Sequence, residues 1–360
     1  MNTRGRGRYL ELDGLRGIAA LAVVVGHFTY TYDTVYPGDP SSNLQFTWGN
    51  FGVELFFMIS GYVILMTADN VSRAADFAVS RVSRLYPTYW IALAVSVVVA
   101  WFVKIPGVPL DPVTILVNLS MVQRWFLVKD VNDAFWTLAV EMQFYVLVFL
   151  LLVFMKSRLR DKAVTLVLSI WLVVATLVTG WIVLRHGIGV GNGLPRLDKL
   201  ILNGTLAEYG PLFCVGILAY RFRQGRGRFW LVPAAQVLAV ATGAAVWGWR
   251  YGLGVLAVCI AFSVVVAFRS VPLLRWHPIQ FFGKISYSLY VIHVVVGYAL
   301  IHLFVQGIGR VPAESVALIV VVAAAVILNR VGEVRLSGAL KSVLKRKLAP
   351  SGKHSVHTRP

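Results

Sequence analysis

The chain has 360 residues, 58% hydrophobic and only 14% charged, with a formal net charge of +18 and a mean hydropathy of +0.73. Soluble globular chains carry about 25% charged residues, so this one has too little polar surface to cover a body surrounded by water. It reads as an all-α integral membrane protein, a polytopic bundle. The 34 Lys and Arg lie in short clusters between long apolar runs, not on one folded face, which excludes a nucleic-acid partner. Cys214 and Cys259 both lie inside apolar runs, so they make no disulfide framework, redox pair or zinc site, and no metal is expected.

A spanning helix needs about 20 mostly apolar residues. The first candidate covers 12–31 and follows an Arg-Gly-Arg-Gly-Arg stretch with no small-residue cleavage motif behind it, so it is read as an uncleaved first span. It contains Arg16 and His27. Eleven residues at 100° each end about 20° past three full turns, so both point to one face, about 16 Å apart along the axis. Such a pair could hold an anionic head at the membrane surface while a thin arm reaches inward; equally, Arg16 could pair with Asp13 at i,i+3 and His27 bridge helices.

The second span, 50–67, opens with Glu54 and contains Ser60. Arg81 and Arg84 stand at i and i+3 before Pro87 and the third span, 87–103. Arginines grip phosphate bidentately, although from charge alone ordinary positive-inside anchoring is the stronger reading. The loop from 104 to 133 holds an apolar stretch, Val113 to Val122, read as a re-entrant or interfacial piece. The fourth span, 134–155, carries Glu141 with no nearby Lys or Arg in sequence; it needs a partner from another helix or a proton.

Spans five to eight are placed at 163–184, 205–220, 230–247 and 252–268, the sixth interrupted by Glu208 and Pro211. Glu54, near the outer end of its span, suits an interfacial structural role at least as well as a functional one, and Glu208, at a similar outer position, is read as structural. In the ninth span, 285–306, Ser286, Tyr290 and His293 fall on one face at i, i+4 and i+7, whereas His302 falls on the opposite face. The tenth span covers 313–330, and the basic tail, 336–360, is expected to be mobile on anionic headgroups. Residues 1–335 form one transmembrane domain, with no internal repeat visible. With the N-terminus in the cytoplasm, 25 of the 34 Lys and Arg fall inside and 8 outside. The positive-inside rule then puts both termini in the cytoplasm.

Five segments in order resemble the membrane-bound type-3 acyltransferase family of bacteria. They are Leu12-Asp-Gly-Leu-Arg-Gly-Ile-Ala-Ala20 running to Gly26-His27, Phe56-Phe-Met-Ile-Ser-Gly61, Arg84-Leu-Tyr-Pro87-Thr-Tyr-Trp90, Trp136 to Tyr145, and Ile285-Ser-Tyr-Ser-Leu-Tyr-Val-Ile-His293. The resemblance implies a ten-span enzyme of the cytoplasmic membrane. It would move an acyl group, usually acetyl, from cytoplasmic acyl-CoA to a hydroxyl of a sugar, a cell-surface polysaccharide, a glycolipid or a small natural product such as a macrolide. The family's Arg-x10-His pattern falls on Arg16 and His27, and its Trp-Ser-Leu-x-x-Glu glutamate on Glu141. The arginine run is thinner here, Ser80-Arg81-Val82-Ser83-Arg84, and Met142 replaces a frequent second glutamate.

On that basis Arg16, Arg81 and Arg84 receive the CoA phosphates. His27 acts as general base or carries the acyl group itself, Glu141 orients His27 or stabilises its cationic form, and Ser60 either donates to the oxyanion or, the more ordinary role, packs between helices. Asp13, Ser286, Tyr290 and His293 support the site. Some relatives append an extracytoplasmic esterase-like domain; this chain is expected to acylate its acceptor directly or to hand the group to a separate partner protein. A secondary transporter and an accessory subunit without chemistry are the competing classes.

Overall fold

The computed structural model describes residues 9–268 and 270–348. Helices account for the regular structure, and no strand occurs among these residues. In chain order they are α1 (Leu10–Gly26), α2 (Tyr32–Val35), α3 (Gly52–Asp69), α4 (Ala74–Val103), α5 (Pro112–Asn118), α6 (Phe135–Phe154) and α7 (Asp161–His186). There follow α8 (Arg196–Gly204), α9 (Gly210–Arg223), α10 (Leu231–Trp247), α11 (Trp249–Ala267), α12 (His277–Ile308), α13 (Arg310–Leu328) and α14 (Ser337–Lys347). A π-helical turn, His27–Thr31, joins α1 to α2, and another, Asn329–Leu336, joins α13 to α14.

Single glycines make the sharpest reversals. Gly248 (φ 93°) separates α10 from α11 and Gly309 (φ 81°) separates α12 from α13. Left-handed backbone costs glycine nothing, so each helix can return along its neighbour at once. The helices alternate in direction. Arg275 pairs with Glu11, and Arg226 with Asp69, at the end where α1 begins, here the proximal end; Arg310 pairs with Asp33, and His302 with Asp39, at the distal end.

Among the described residues, eight helical elements are long and apolar enough to cross a membrane: Leu10–Val35, Thr47–Asp69, Ala74–Val103, Phe135–Phe154, Asp161–His186, Trp249–Ala267, His277–Ile308 and Arg310–Lys347. The sixth and seventh of the ten expected spans are shorter, as α9 with 14 residues and α10 with 17. Pro211 lacks an N–H and starts a helix rather than continuing one, which sets the late start of α9. At 1.5 Å per residue α9 is about 21 Å long, less than the roughly 30 Å of hydrocarbon. It is buried from Gly210 to Arg221, so protein rather than lipid surrounds it.

The outer faces are apolar. Leu166, Ile170, Val173, Leu177 and Leu184 of α7 and Leu253, Leu256, Ile260 and Val264 of α11 are all exposed, more apolar surface than a water-facing protein tolerates. Inside, small residues set the closest crossings: a Cβ on Gly17 of α1 would meet both the Ile279 carbonyl oxygen and the Gly283 nitrogen of α12 at 2.6 Å. Of the basic tail, residues 337–347 form α14, packed on α4, where Arg73 donates to the Leu348 carbonyl at 3.1 Å. Residues 349–360 lie outside the described residues. The apolar stretch after residue 112 forms α5, capped by Asp111, whose carboxylate accepts from the Thr114 N–H at 2.9 Å.

Candidate active site

The close crossing of α1 on α12, with α4 alongside, brings three arginines to the proximal half of the bundle. Arg16, Arg81 and Arg84 line a cavity of about 80 Å³ together with Ser60, Glu141 and Tyr290. Arg16 and Arg84 also line a wider proximal opening of about 450 Å³, whose rim includes Asp13, Lys284 and Glu333. The two spaces therefore share these guanidinium groups as a common wall, and an anionic head in the opening would meet them first.

Glu141 lies in α6, beyond hydrogen-bonding reach of any residue near it in sequence except one. Its Oε1 accepts from the Ser60 hydroxyl of α3 at 2.6 Å and from the Tyr145 hydroxyl, one turn on, at 2.5 Å. Arg81 is 7% exposed; its Nη2 donates to the Thr67 hydroxyl at 3.1 Å, its Cζ stands 5.9 Å from the centre of the Tyr145 ring, and its Nε is buried without a partner. Polar groups so placed are costly unless something engages them.

The histidines stand beyond the cavity wall. His27 begins the π-turn, in which the Tyr32 N–H closes on the His27 carbonyl five residues back; such turns recur at functional sites. His27 Nδ1 is 2.9 Å from the Val23 carbonyl oxygen. A carbonyl only accepts, so Nδ1 carries the hydrogen and Nε2 keeps a lone pair. Asp133 Oδ2 lies 3.9 Å from that Nε2. His293, fully buried in α12, makes the same choice of tautomer through the Tyr290 carbonyl at 2.7 Å, and its Nε2 has no partner. The two imidazoles meet edge to face with centroids 4.9 Å apart.

Tyr290 and Thr137 form the wall between the two groups. Both line the cavity, their hydroxyls are 2.8 Å apart, and the Tyr290 ring lies 5.7 Å from the His293 ring. Among the residues singled out from sequence, Arg16, Arg81, Arg84, Ser60, Glu141, Ser286 and Tyr290 thus share one cavity, with Asp13 at its mouth and His293 against His27 behind it. Glu141 and His27 are not brought together: Glu141 bonds Ser60 and Tyr145, and the carboxylate beside His27 is Asp133. The Ser60 hydroxyl is taken up by Glu141, and the Ser286 hydroxyl by the Gly283 carbonyl at 3.0 Å.

Asp133, Thr137, Tyr145 and Glu333 were missed. Tyr145 was accessible from its i,i+4 spacing to Glu141. Asp133 sits in a loop without periodicity, held by Asn132, whose side chain donates to the Ser96 hydroxyl at 3.0 Å and to the Val291 carbonyl at 3.3 Å. Glu333 accepts from the Ser288 hydroxyl at 2.5 Å. His302 belongs to a separate distal cluster, bonded to Asp39 at 2.8 Å and stacked on Tyr36. No group of three or more His, Cys, Asp or Glu able to hold a metal occurs among the described residues.

Residues 9–330 match the protein family described as Acyltransferase domain. A Staphylococcus aureus (strain COL) protein named "Putative O-acetyltransferase" is 26% identical over 323 residues, 80% of this chain and 51% of that protein. O-acetyltransferase OatA of the same strain is 24% identical over 341 residues, 83% of this chain and 52% of that protein. The chain spans about half the length of the curated relatives it matches. No solved structure matches it. The matched stretch takes in every helix that lines the inner cavity and both that carry the paired histidines, and on that match the chain belongs to the type-3 acyltransferase family.

Proposed function

We propose that this protein is a membrane O-acetyltransferase that takes acetyl from acetyl-CoA at the proximal end and delivers it to a hydroxyl of a sugar, a polysaccharide or a glycolipid. The observation that supports this best is an arginine-lined opening that shares Arg16 and Arg84 with an inner cavity, beyond whose Tyr290 wall stands a histidine whose Nε2 lone pair is free. Arg16, Arg84 and Lys284 at the opening suit the CoA phosphates, with Arg81 deeper. The pantetheine arm follows the Arg16 face past Tyr290 toward His27. We take the proximal end as cytoplasmic, both termini with it, and the bundle as crossing the bacterial inner membrane ten times, α9 and α10 being thin crossings enclosed by protein.

In the transfer, His27 Nε2 accepts the proton of the acceptor hydroxyl as its oxygen attacks the thioester carbonyl carbon. The C–S bond then breaks, and the CoA thiolate takes that proton back from the imidazolium. General-base help of this kind contributes about 10² to 10⁴ in rate. The edge contact with His293 and the Val23 bond hold the ring, while Asp133 offsets the positive charge formed on it. Glu141, Ser60 and Tyr145 form a fixed polar wall beside the arginines.

Purified protein in nanodiscs, supplied with acetyl-CoA and a panel of hydroxyl acceptors, should release thiol only when an acceptor is present. His27→Ala should lower that rate by at least about a hundredfold. Wild-type turnover by the alanine variant would end the assignment, and acceptor-independent solute accumulation in vesicles would favour a transporter.

A further inference from the structure

A second set of buried charges lies at the distal end, outside the site described above. Glu54, in the first turn of α3, is 3% exposed; its Oε1 accepts from the Tyr251 hydroxyl, and its Oε2 is buried with no partner. Glu208, just before α9, is 8% exposed and accepts from the Trp247 indole N–H at 2.5 Å. Arg124, on the turn Gln123–Phe126, places its Cζ 5.1 Å from the centre of the Trp136 ring, and its Nη1 is buried with no partner. Tyr209 lies among all three, close enough to feel the charges of Glu208, Arg124 and Glu54. It packs on Trp136 at 5.5 Å, and both pack on Phe57.

A structural cluster gains nothing by leaving a buried carboxylate oxygen and a buried guanidinium nitrogen both unengaged, since a buried polar atom without a partner is costly. Apolar residues of the same volume would serve packing better. The unfilled acceptor on Glu54 and unfilled donor on Arg124 flank one aromatic patch. A ligand that fits offers donors and acceptors together and has an apolar ring face. Hydroxyl groups do both, and two carboxylates against one guanidinium disfavour an anion such as a nucleotide.

Two features tie this patch to the reaction. Val53 and Phe57, beside Glu54 and Trp136, line the arginine cavity. The loop that carries Arg124 also carries Asp133, next to His27, and is braced between them by the Gln123 amide donating to Asp130 at 2.7 Å.

We infer that the distal ends of α3, α6 and α11, with the 123–133 loop, form the acceptor subsite, and that it takes a neutral carbohydrate ring lying on Trp136 and Tyr209 with its hydroxyls on Glu54 and Arg124. The acceptor role rests on the acyltransferase reading above; the carbohydrate site does not. Left-handed Met121 and Leu127 bracket the turn that carries Arg124, so a short loop, not a helix, presents its side chain to the patch.

The test titrates wild type, Glu54→Gln and Arg124→Gln in nanodiscs with a panel of free neutral mono- and disaccharides, read by tryptophan fluorescence, with CoA binding as the control for fold. Glu54→Gln keeps an oxygen for Tyr251. At least one sugar should bind wild type saturably, with Kd raised about tenfold in each variant, or about 1.4 kcal/mol, and CoA binding unchanged. Absence of binding by every sugar, or equal binding by variants and wild type, overturns the site. Sugar binding that follows the variants while no sugar stimulates thiol release keeps the carbohydrate site and removes the acetyl-transfer reading.

Discussion

The hydroxyls of Tyr290 on α12 and Thr137 on α6 stand 2.8 Å apart in the wall that separates the arginine-lined cavity from the His27–His293 pair. On the proposed route, a thioester drawn toward His27 from the opening passes this contact. Tyr290→Phe removes the bond but keeps the Tyr290 backbone carbonyl that fixes the His293 tautomer, and Thr137 retains the Ala134 carbonyl at 3.1 Å. The variant is expected to lose about 1 kcal/mol of stability and about tenfold in kcat, with KM for acetyl-CoA unchanged. A raised KM with normal kcat would place Tyr290 in ordinary donor binding instead.

The arginines should behave in the opposite way. Arg16 and Arg84 border both the opening and the cavity, so their expected partner is the charged head of the donor and not the reacting carbonyl. Charge-assisted hydrogen bonds are worth about 1.5–3 kcal/mol. Arg16→Gln or Arg84→Gln should therefore raise KM for acetyl-CoA by about ten- to a hundredfold, with kcat within about threefold. The penalty should shrink when the donor lacks its 3′-phosphate. Steady-state kinetics with the two donors distinguishes this from a general loss of fold, which would lower kcat for both.

Arg310 holds the turn on which His27 depends. Its side chain is 5% exposed; Nη2 donates to the Phe28 carbonyl at 2.5 Å and to Asp33 at 2.9 Å, Nε donates to Glu314 at 2.7 Å, and Cζ lies 4.2 Å from the Tyr32 ring centre. A π-turn shifts its carbonyls out of the α register, and Arg310 takes up one of them. Arg310→Met takes the cation away from two partly buried carboxylates, Asp33 and Glu314, and should cost about 3 kcal/mol. Arg310→Lys, which keeps the charge without the fork, should fold, with kcat reduced and KM for acetyl-CoA unchanged, because the proposed site for the donor head is at the other end of the bundle. Thermal melts alongside kinetics check both outcomes.

How far the sequence could be read follows from which residues obey a period. Arg16 and His27 share a face because α1 is regular up to Gly26 and the π-turn starts only at His27. Ser286, Tyr290 and His293 likewise keep their helical face, two on the cavity and one behind it. Partners contributed by other helices were out of reach: nothing in one segment says that Ser60 meets Glu141 or that Thr137 meets Tyr290. Loop residues escape for a different reason, since Asp133 is placed by Asn132 reaching Ser96 and Val291, contacts with no local signature. Of the ten expected spans eight are long apolar helices among the described residues, and hydropathy could not foresee that Pro211 delays the start of α9 or that Gly248 ends α10 early. Glu54 and Glu208 share a distal patch with Arg124, one of whose guanidinium nitrogens is buried without a partner, a grouping that only the fold could reveal.

The 123–133 loop should also set a pH dependence of stability. Burial pushes the Asp130 carboxyl up to about 6, against the opposing hydrogen bond from Gln123 and the charge of Arg124. An acid whose pKa is raised in the folded state binds more protons there than when unfolded. Its contribution is fully present below the unfolded value near 3.9 and is lost as pH rises through about 6. Ionised Asp130 therefore costs stability at pH 7.5, on the order of 2 kcal/mol once partial solvent access is allowed for. Melting temperature in detergent should fall between pH 5 and pH 7.5, and Asp130→Asn, whose amide oxygen still accepts from Gln123, should flatten that fall and melt higher at pH 7.5. A variant with the wild-type pH slope would move the titration to another group of the distal loops, and Asp39 would be excluded from that role: despite its desolvation, hydrogen bonds from Tyr32 and His302 hold its carboxyl below the usual range, so it stays ionised throughout this window.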